Sequence, residues 1–468
     1  MKSPRPPCAP GLAGRLATLL ATCALGGALS GALGGCAAPP SAGLAPVDPV
    51  ATMRNDSSRY IVLAVDNPLA APAGRAGSSL GGYGPAPRYL LGARAAATLA
   101  AIAQQHGLRE AAGWPIVALG WHCVVFELPP GRSRDELLAT LAADPRVRLA
   151  QALQDFETRA APTAAPLTTA TTGSLSAVGA AASATEQVPY NDPYVNLQRG
   201  FVDTGAAQAH RFSTGAGVRI AVVDTGAALN HPDLLGRIVA TRDLVGEPAG
   251  RFESDRHGTE VAGVIAAVGN NREGIVGIAP QAGLELFKAC WARPAPTADA
   301  GARCNSFTLA KALGGVLESD ARIVNLSLGG PSDPLLDKLL AELLRQGRIV
   351  VGALPPDGRR GGFPTGTAGV LAAGVAGELA SDAADVVAAP GRDVLTLQPG
   401  TGYDYASGSS IAAAHVSGVA ALLLSADPRL DRAALCALIH GASGATALNA
   451  SAALDTLRSR QAAGKRAP

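Results

Sequence analysis

Three short segments in the second half of the chain each carry one chemically capable side chain on a turn of small residues. IAVVDTG, ending at Gly226, holds Asp224; DRHGTEVAG, from Asp255 to Gly263, holds His257; SGSSIAAAHVSG, from Ser407 to Gly418, holds Ser410. A serine hydroxyl is a poor nucleophile until an imidazole takes its proton, and the imidazole needs a buried carboxylate to fix its tautomer. Together the three residue types point to acyl transfer through a nucleophilic serine. Taken singly they say little, since a lone histidine is more often structural and a serine opening a helix is usually a cap. Here the helix start has a second use, because its N–H groups and dipole favour a developing oxyanion.

The Asp-Thr-Gly at 224–226 has a rival reading, because aspartic peptidases also use that tripeptide. Val202-Asp203-Thr204-Gly205-Ala206-Ala207 nearly repeats Val223-Asp224-Thr225-Gly226-Ala227-Ala228. An aspartic dyad needs both loops behind apolar strands. Asp203 follows RGF with no strand, and AAQAHRF after it reads as a helix, so the repeat is read as coincidence or a helix cap.

Short apolar strands alternate with helical segments around these residues: RIAVVD, a helix around TEVAGVIAAV, LELFKAC, helix FTLAKALGGVLES, RIVNLSLG, helix DPLLDKLLAELLRQ, RIVVGAL and VLAAGV. Near-continuous apolar strands interleaved with helices predict an α/β fold, a parallel sheet covered on both faces. Catalytic groups then belong at the carboxyl ends of strands, where Asp224 stands. This domain is expected over 189–458, followed by a disordered tail at 459–468. Upstream, residues 59–159 read strand (YIVLAV), helix (ARAAATLAAIAQQHGL), strands (WPIVALG and CVVFELP), helix (SRDELLATLAADP) and strand (VRLAQAL), a small βαββαβ, ferredoxin-like module. A plain binding module would show the same order. An Ala/Thr/Ser-rich linker at 160–188 cannot pack a core and should be open to proteolysis.

The chain order Asp, His, Ser, with HPDL at 231–234, GIVGIAP at 274–280, NLSLGG at 325–330 and AAPG at 388–391, resembles the subtilisin-like serine peptidases, or subtilases, over roughly Asn191 to Pro428. The resemblance implies a subtilisin-like fold and catalytic roles for Asp224, His257 and Ser410. It implies that Ser327, Leu328 and Gly329 form the edge that pairs with an extended polypeptide substrate, and that the βαββαβ module is an inhibitory propeptide partnering the catalytic domain. His415 matches a histidine that follows the serine in the family and is read as packing. Calcium is common in the family, but no acidic cluster with a recognisable ligand pattern is present, so no cofactor or metal site is assigned.

The chain departs from the family in three places. Gly408-Ser409-Ser410-Ile411-Ala412-Ala413-Ala414 replaces the usual Gly-Thr-Ser-Met-Ala-x-Pro, and Glu260 stands where the family often has a second histidine or alanine. In RIVVGALPPDGRRGGFP the family usually has Ala-Ala-Gly-Asn, whose asparagine donates to the oxyanion. Pro356 falls at that position, or Asp357 with a one-residue shift. Proline has no donor and an ionised aspartate repels an oxyanion. A protonated Asp357, or Arg359 or Arg360 swung inward, would be substitutes. Losing one such donor costs roughly 10²–10³ in turnover, a magnitude that belongs to subtilisin itself. The expectation is a serine endopeptidase, attenuated by the missing asparagine; the alternative is a pseudo-peptidase that binds extended polypeptide without cutting it.

Lys2, Arg5 and Arg15 precede an apolar stretch from Leu16 to Leu33, and Leu33-Gly34-Gly35-Cys36 closes it. Residues 1–36 therefore read as a secretory signal resembling a bacterial lipobox, with Cys36 carrying lipid and anchoring an exported protein to a membrane, the outer membrane if the cell is Gram-negative. An ordinary signal with a chance cysteine is the alternative, and a transmembrane anchor fits poorly with so many Gly, Ala and Thr. Residues 37–58 read as an extended linker. An exported chain tolerates disulfides; Cys290 and Cys304 bracket a Pro/Ala/Gly loop and are the expected bridge, while Cys123 and Cys436 read as buried thiols. The net charge of +2 gives no argument for a nucleic-acid partner.

Overall fold

The computed structural model describes residues 49–68, 91–158, 190–247, 250–293, 301–379, 385–443 and 447–464. The signal, Cys36 and the 160–188 linker lie outside them.

The N-terminal part contains helix α1 (Pro49–Asn55), β1 (Tyr60–Asp66), α2 (Ala93–His106), β2 (Arg109–Ile116), β3 (Trp121–Glu127), α3 (Arg134–Ala142) and β4 (Leu149–Ala152). Its strands lie in the order β2-β3-β1-β4, antiparallel throughout. One face packs on α2 and α3 through Ile61, Leu63, Leu99, Ile102, Phe126, Leu137 and Leu141. The opposite face packs, through Tyr60, Val62, Trp114 and Val125, into the same core as Phe307, Leu335 and Leu339 of the following domain. A strand not expected from the sequence, β5 (Asp155–Thr158), leaves this sheet and joins another.

The rest of the chain comprises α4 (Arg199–Asp203), α5 (Ala206–Ala209), β6 (Arg219–Asp224), β7 (Ile238–Asp243), α6 (Arg256–Ala266), β8 (Gly283–Lys288), β9 (Cys290–Ala292), β10 (Ala302–Asn305), α7 (Ser306–Leu317), β11 (Ile323–Leu326), β12 (Leu328–Gly329), α8 (Pro334–Arg345), β13 (Ile349–Ala353), β14 (Leu371–Val375), β15 (Val386–Ala389), β16 (Val394–Gln398), β17 (Gly402–Ala406), α9 (Ser409–Ala426), α10 (Arg432–Ala442) and α11 (Ala450–Gly464). Seven strands form one sheet in the order β15-β14-β13-β11-β6-β8-β7, and every pairing in it is parallel. Helices cover both faces, as near-continuous apolar strands require. On one side α8 lays down Leu335, Leu336, Leu339, Leu340 and Leu343, the stripe of an amphipathic helix. Its start is fixed by Pro334 and by Asp333, whose carboxylate accepts the Leu335 and Leu336 amides at 3.0 Å.

On the other side α6 and α9 pack together against the sheet. Helix α9 is long and apolar enough to cross a bilayer, but fifteen of its residues, Ser410 to Leu424, are buried in the protein core. It is a core helix. Fully burying each of its Val, Ile and Leu side chains contributes about 1.5–3 kcal/mol. A second sheet, β12-β5-β10-β9, is antiparallel and places β5 between two strands of the large domain.

Two segments differ from the sequence expectation, while a third, the Asp203 repeat, follows it. Residues 37–58 were expected to be extended, yet α1 occupies Pro49–Asn55 and a short 3₁₀ turn covers Ser57–Arg59. Met53 explains the turn to helix, since its side chain is fully buried in the shared core. Residues 459–468 were expected to be disordered, yet α11 runs on to Gly464. It is held at Gln461, whose amide donates to Asp427 at 3.1 Å. Val202 and Asp203 lie in α4, and Thr204 returns its hydroxyl to the carbonyls of Gly200 and Phe201, which removes the second strand-borne loop an aspartic dyad needs.

Candidate active site

Asp224 is the last residue of β6 and His257 the second residue of α6. The His257 Nδ1 and Asp224 Oδ1 atoms are 2.8 Å apart, and both side chains are buried. Asp224 Oδ1 also accepts the Thr225 amide at 2.7 Å, and Thr225 Oγ1 accepts the Gly258 amide at 3.1 Å, so loop and helix are tied on both sides of the pair. This close approach explains the two glycines. A Cβ on Gly258 would stand 1.9 Å from the Gly226 carbonyl oxygen, and one on Gly226, whose φ is 124°, would meet the Phe252 carbonyl oxygen at 2.6 Å.

Behind the pair lies a buried cation. Lys288, closing β8 opposite Asp224, donates to the Thr225 carbonyl at 2.5 Å, ion-pairs with Asp255 and approaches Glu247 at 3.0 Å. Burial pushes Asp255 up to about 7 against the downward pull of Lys288. Asp255 therefore makes no side-chain cap for α6, although it occupies the cap position.

Ser410 lies in the first turn of α9, after Gly408, and is fully buried. Its position follows from β11, the parallel neighbour of β6. Ser327, just beyond β11, donates its hydroxyl to the Ser410 carbonyl at 2.9 Å; Asn325 Nδ2 donates to Ser327 Oγ at 2.9 Å, and Ser417 Oγ donates to Asn325 Oδ1 at 2.8 Å. Ser410 is thus held just beyond β11, whose neighbour β6 ends in Asp224 with its partner His257. Asn325, Ser417 and Lys288 were missed from the sequence, though a polar residue closing or ending an apolar strand (NLSLGG, LELFK) is a readable signal.

His257 Nε2 and Asp224 Oδ2 are buried with no hydrogen-bond partner among the described residues. Leaving a buried polar atom unpaired costs about 1–3 kcal/mol, and such atoms in a native fold call for an explanation. On His257, burial pushes the pKa down, but the Asp224 charge and hydrogen bond, with Glu260 adding to them, outweigh it and leave the imidazole above its ordinary value. Glu260 is itself buried, accepting from Arg256 Nε at 2.7 Å and Gln398 Nε2 at 2.9 Å. His415 is a packing group: its Nδ1 meets the Ile411 carbonyl at 2.9 Å, and burial lowers its pKa to about 4.

The loop after β13 comes to this site through Leu354, whose carbonyl accepts the Ser409 hydroxyl at 2.7 Å. Two residues on, Pro356 and Asp357 are exposed, and Asp357 Oδ1 accepts the Arg359 amide at 3.1 Å. Arg360 does not swing inward. Its guanidinium is spent on the carbonyls of Thr365 and Val370, each at 3.0 Å, inside its own loop.

Leu328 and Gly329 form β12 and pair antiparallel with Thr158 and Glu157 of β5. The edge the resemblance assigns to substrate therefore carries a strand of the N-terminal module. Cys290 and Cys304 are bridged, Cα to Cα 4.3 Å, across the neighbouring β9–β10 pair. Cys123 is a buried thiol and Cys436 only partly buried. Among the described residues no group of three or more His, Cys, Asp or Glu side chains is arranged to hold a metal ion. The buried Asp233 accepts from Asn271 Nδ2 at 2.8 Å, the Ile275 amide at 2.9 Å and the Tyr403 hydroxyl at 3.2 Å.

Known proteins give the same family picture. A sequence profile of the Subtilase family matches residues 215–463, more than half of the chain. Thermitase of Thermoactinomyces vulgaris is 36% identical over 165 residues, 35% of this chain and 56% of that protein. A thermophilic serine proteinase of Bacillus sp. (strain AK1) is 31% identical over 247 residues, 51% of this chain and 60% of its own length. Subtilisin DY of Bacillus licheniformis is 30% identical over 259 residues, 53% of this chain and 88% of that protein. The chain thus spans a little over half the length of the first two. The crystal structure of fervidolysin from Fervidobacterium pennivorans superposes with a TM-score of 0.61 at 20% identity, over 85% of this chain and 60% of that one, a likeness of fold.

Proposed function

The chain belongs to the subtilase family, and from that premise we propose that it is a serine endopeptidase acting through Asp224, His257 and Ser410. His257 Nε2 takes the proton of the Ser410 hydroxyl as Ser410 attacks the scissile carbonyl; Asp224 holds the Nδ1–H tautomer and stabilises the imidazolium. His257 then protonates the leaving amine, and water hydrolyses the acyl-enzyme. The observation that carries this reading is the Asp224–His257 contact with Nε2 left unpartnered in a buried site. An imidazole held on one side and unsatisfied on the other is poised to exchange a proton. A fluorophosphonate probe should label Ser410 in the wild-type chain and not in Ser410→Ala.

One observation favours the pseudo-peptidase alternative: the exposed Pro356 offers no donor where the family has asparagine. Absence of labelling on Ser410 would decide for it.

The module at 59–159 is proposed as a propeptide. Strand β5 lies antiparallel on β12 as a substrate would, so the uncut chain blocks its own cleft, and cleavage within 160–188 would free the domain. Export follows from the N-terminal segment, and lipid on Cys36 would hold the uncut chain at the membrane. Cys36→Ser should move the protein from the membrane to the soluble fraction on cell fractionation; an unchanged distribution refutes lipidation.

Glu260 supplies a pH prediction. The base works only when neutral, so activity should rise with pH as His257 loses its proton, above the ordinary imidazole range. Glu260→Gln removes a charge that raises His257, and the acid limb of kcat/KM against pH should move to lower pH. A limb that stays in place means Glu260 is not felt at the imidazole.

A further inference from the structure

Strand β5 shows how an extended chain sits in this cleft, and its charges are matched on one side only. Phe156 and Thr158 point inward and are buried, Phe156 edge-to-face on Phe363 with ring centroids 5.5 Å apart. Asp155 and Glu157 alternate outward, as the two-residue period of a strand requires. Both meet arginines of the β9–β10 pair: Arg303 Nη2 lies 2.7 Å from Asp155 Oδ2, and Arg293 ion-pairs with Glu157. The register places Glu157 directly across from Arg303 and Asp155 across from Asn305. The Cys290–Cys304 bridge joins the two strands that position these arginines.

We infer that the cleft selects acidic side chains on both sides of an inward-facing residue, with Arg303 and Arg293 as the specificity-determining groups. The inference rests on the proposed reading that polypeptide substrates occupy the edge now held by β5. Any strand on β12 presents alternate side chains to the same neighbours, so its outward positions face two guanidinium groups. Arg303 is built for more than it receives here: its Nε and Asp155 Oδ1 are both buried without a hydrogen-bond partner among the described residues. A carboxylate with free chain ends can take Nε and Nη2 together, the fork geometry that makes Arg–carboxylate recognition directional. Once β5 leaves, Arg303 and Arg293 lose their partners, and an acidic substrate restores both pairs. A basic substrate brings like charges together.

The test uses quenched fluorescent peptides with Asp-Phe-Glu-Thr, Asn-Phe-Gln-Thr or Lys-Phe-Lys-Thr ahead of one common neutral sequence, incubated with the full chain after its own processing. The acidic peptide should be cut with kcat/KM about five- to thirtyfold above the neutral one, and the basic peptide least well. Salt near 0.5 M should shrink the spread, because the pairs are part-exposed. Arg293→Glu with Arg303→Glu should reverse the order. Equal rates for the three peptides at low salt overturn the inference, and this ranking needs no variant to fold. Failure of the peptidase reading looks different: no peptide is cut and Ser410 takes no fluorophosphonate. The selection is then decided by equilibrium binding of the same three peptides to the full chain carrying Phe156→Ala, which unseats β5 from Phe363 and opens the cleft, where an acidic preference sustains it and equal affinity ends it.

Discussion

Replacing His257 with alanine should lower kcat/KM by about 10³–10⁴, and the double change with Ser410→Ala should cost no more than either alone. In subtilisin, removing the serine or the histidine costs roughly 10⁶ in kcat, and a residual 10³–10⁴ over water survives from the oxyanion hole and binding. Those are subtilisin's magnitudes. If Pro356 stands in place of the oxyanion asparagine, this chain should start lower, and a smaller loss is expected here. Non-additivity is the sharper part of the expectation. Without His257 the Ser410 hydroxyl keeps its proton, and deleting a nucleophile that cannot attack changes nothing further. Steady-state rates of both single variants and the double variant on one peptide decide the matter. If the double loss is the product of the single losses, His257 and Ser410 do not act as a unit. His257→Ala leaves the buried Asp224 Oδ1 without its Nδ1 partner, so its thermal midpoint should fall, and the rates are compared well below that midpoint.

Much of this site was legible because its chemistry sits where strong local signals coincide. Asp224 ends an apolar strand and is followed by a glycine that the close packing of His257's helix demands; His257 is followed by Gly258 for the same reason. The strands that became β6, β8, β11, β13 and β14 were readable as apolar runs, and α7 and α8 by their helical period. Strands with weaker signals were not read. β7 reads IVATRD and is largely exposed, and β17 reads GYDYA; each is a strand because a neighbour supplies its pairing. β5 reads DFET, four residues with two charges, and nothing local in it announces a strand. It is ordered by β12 on one side and β10 on the other, partners 146 and more residues away in sequence. The support beneath the triad escaped for a related reason. Lys288 and Asp255 look like surface charges until the fold brings them together with Glu247 in a buried place.

Pro356→Asn should raise turnover by about 10²–10³, the magnitude that subtilisin's own oxyanion asparagine contributes. The oxyanion of the tetrahedral intermediate would otherwise depend on the Ser410 amide, at the start of α9, and on that helix's dipole. The loop that must deliver a second donor is already at the site, since the Leu354 carbonyl accepts the Ser409 hydroxyl at 2.7 Å, one residue from the nucleophile. Two residues further, Pro356 is exposed, so an asparagine there meets no packed core and has room to turn its amide toward the intermediate. The gain should appear in kcat with KM nearly unchanged, because the donor is aimed at charge that exists only in the transition state. Fluorophosphonate labelling should also quicken, as its adduct places an oxygen in the same hole. Asp357→Asn is the control for the one-residue shift: if it accelerates catalysis and Pro356→Asn does not, the donor position is 357. If neither does, the loop lies too far from the oxyanion. Any low activity would then need another cause, with the occupancy of the cleft by β5 the first to measure, through Phe156→Ala, which removes the ring that seats β5 against Phe363.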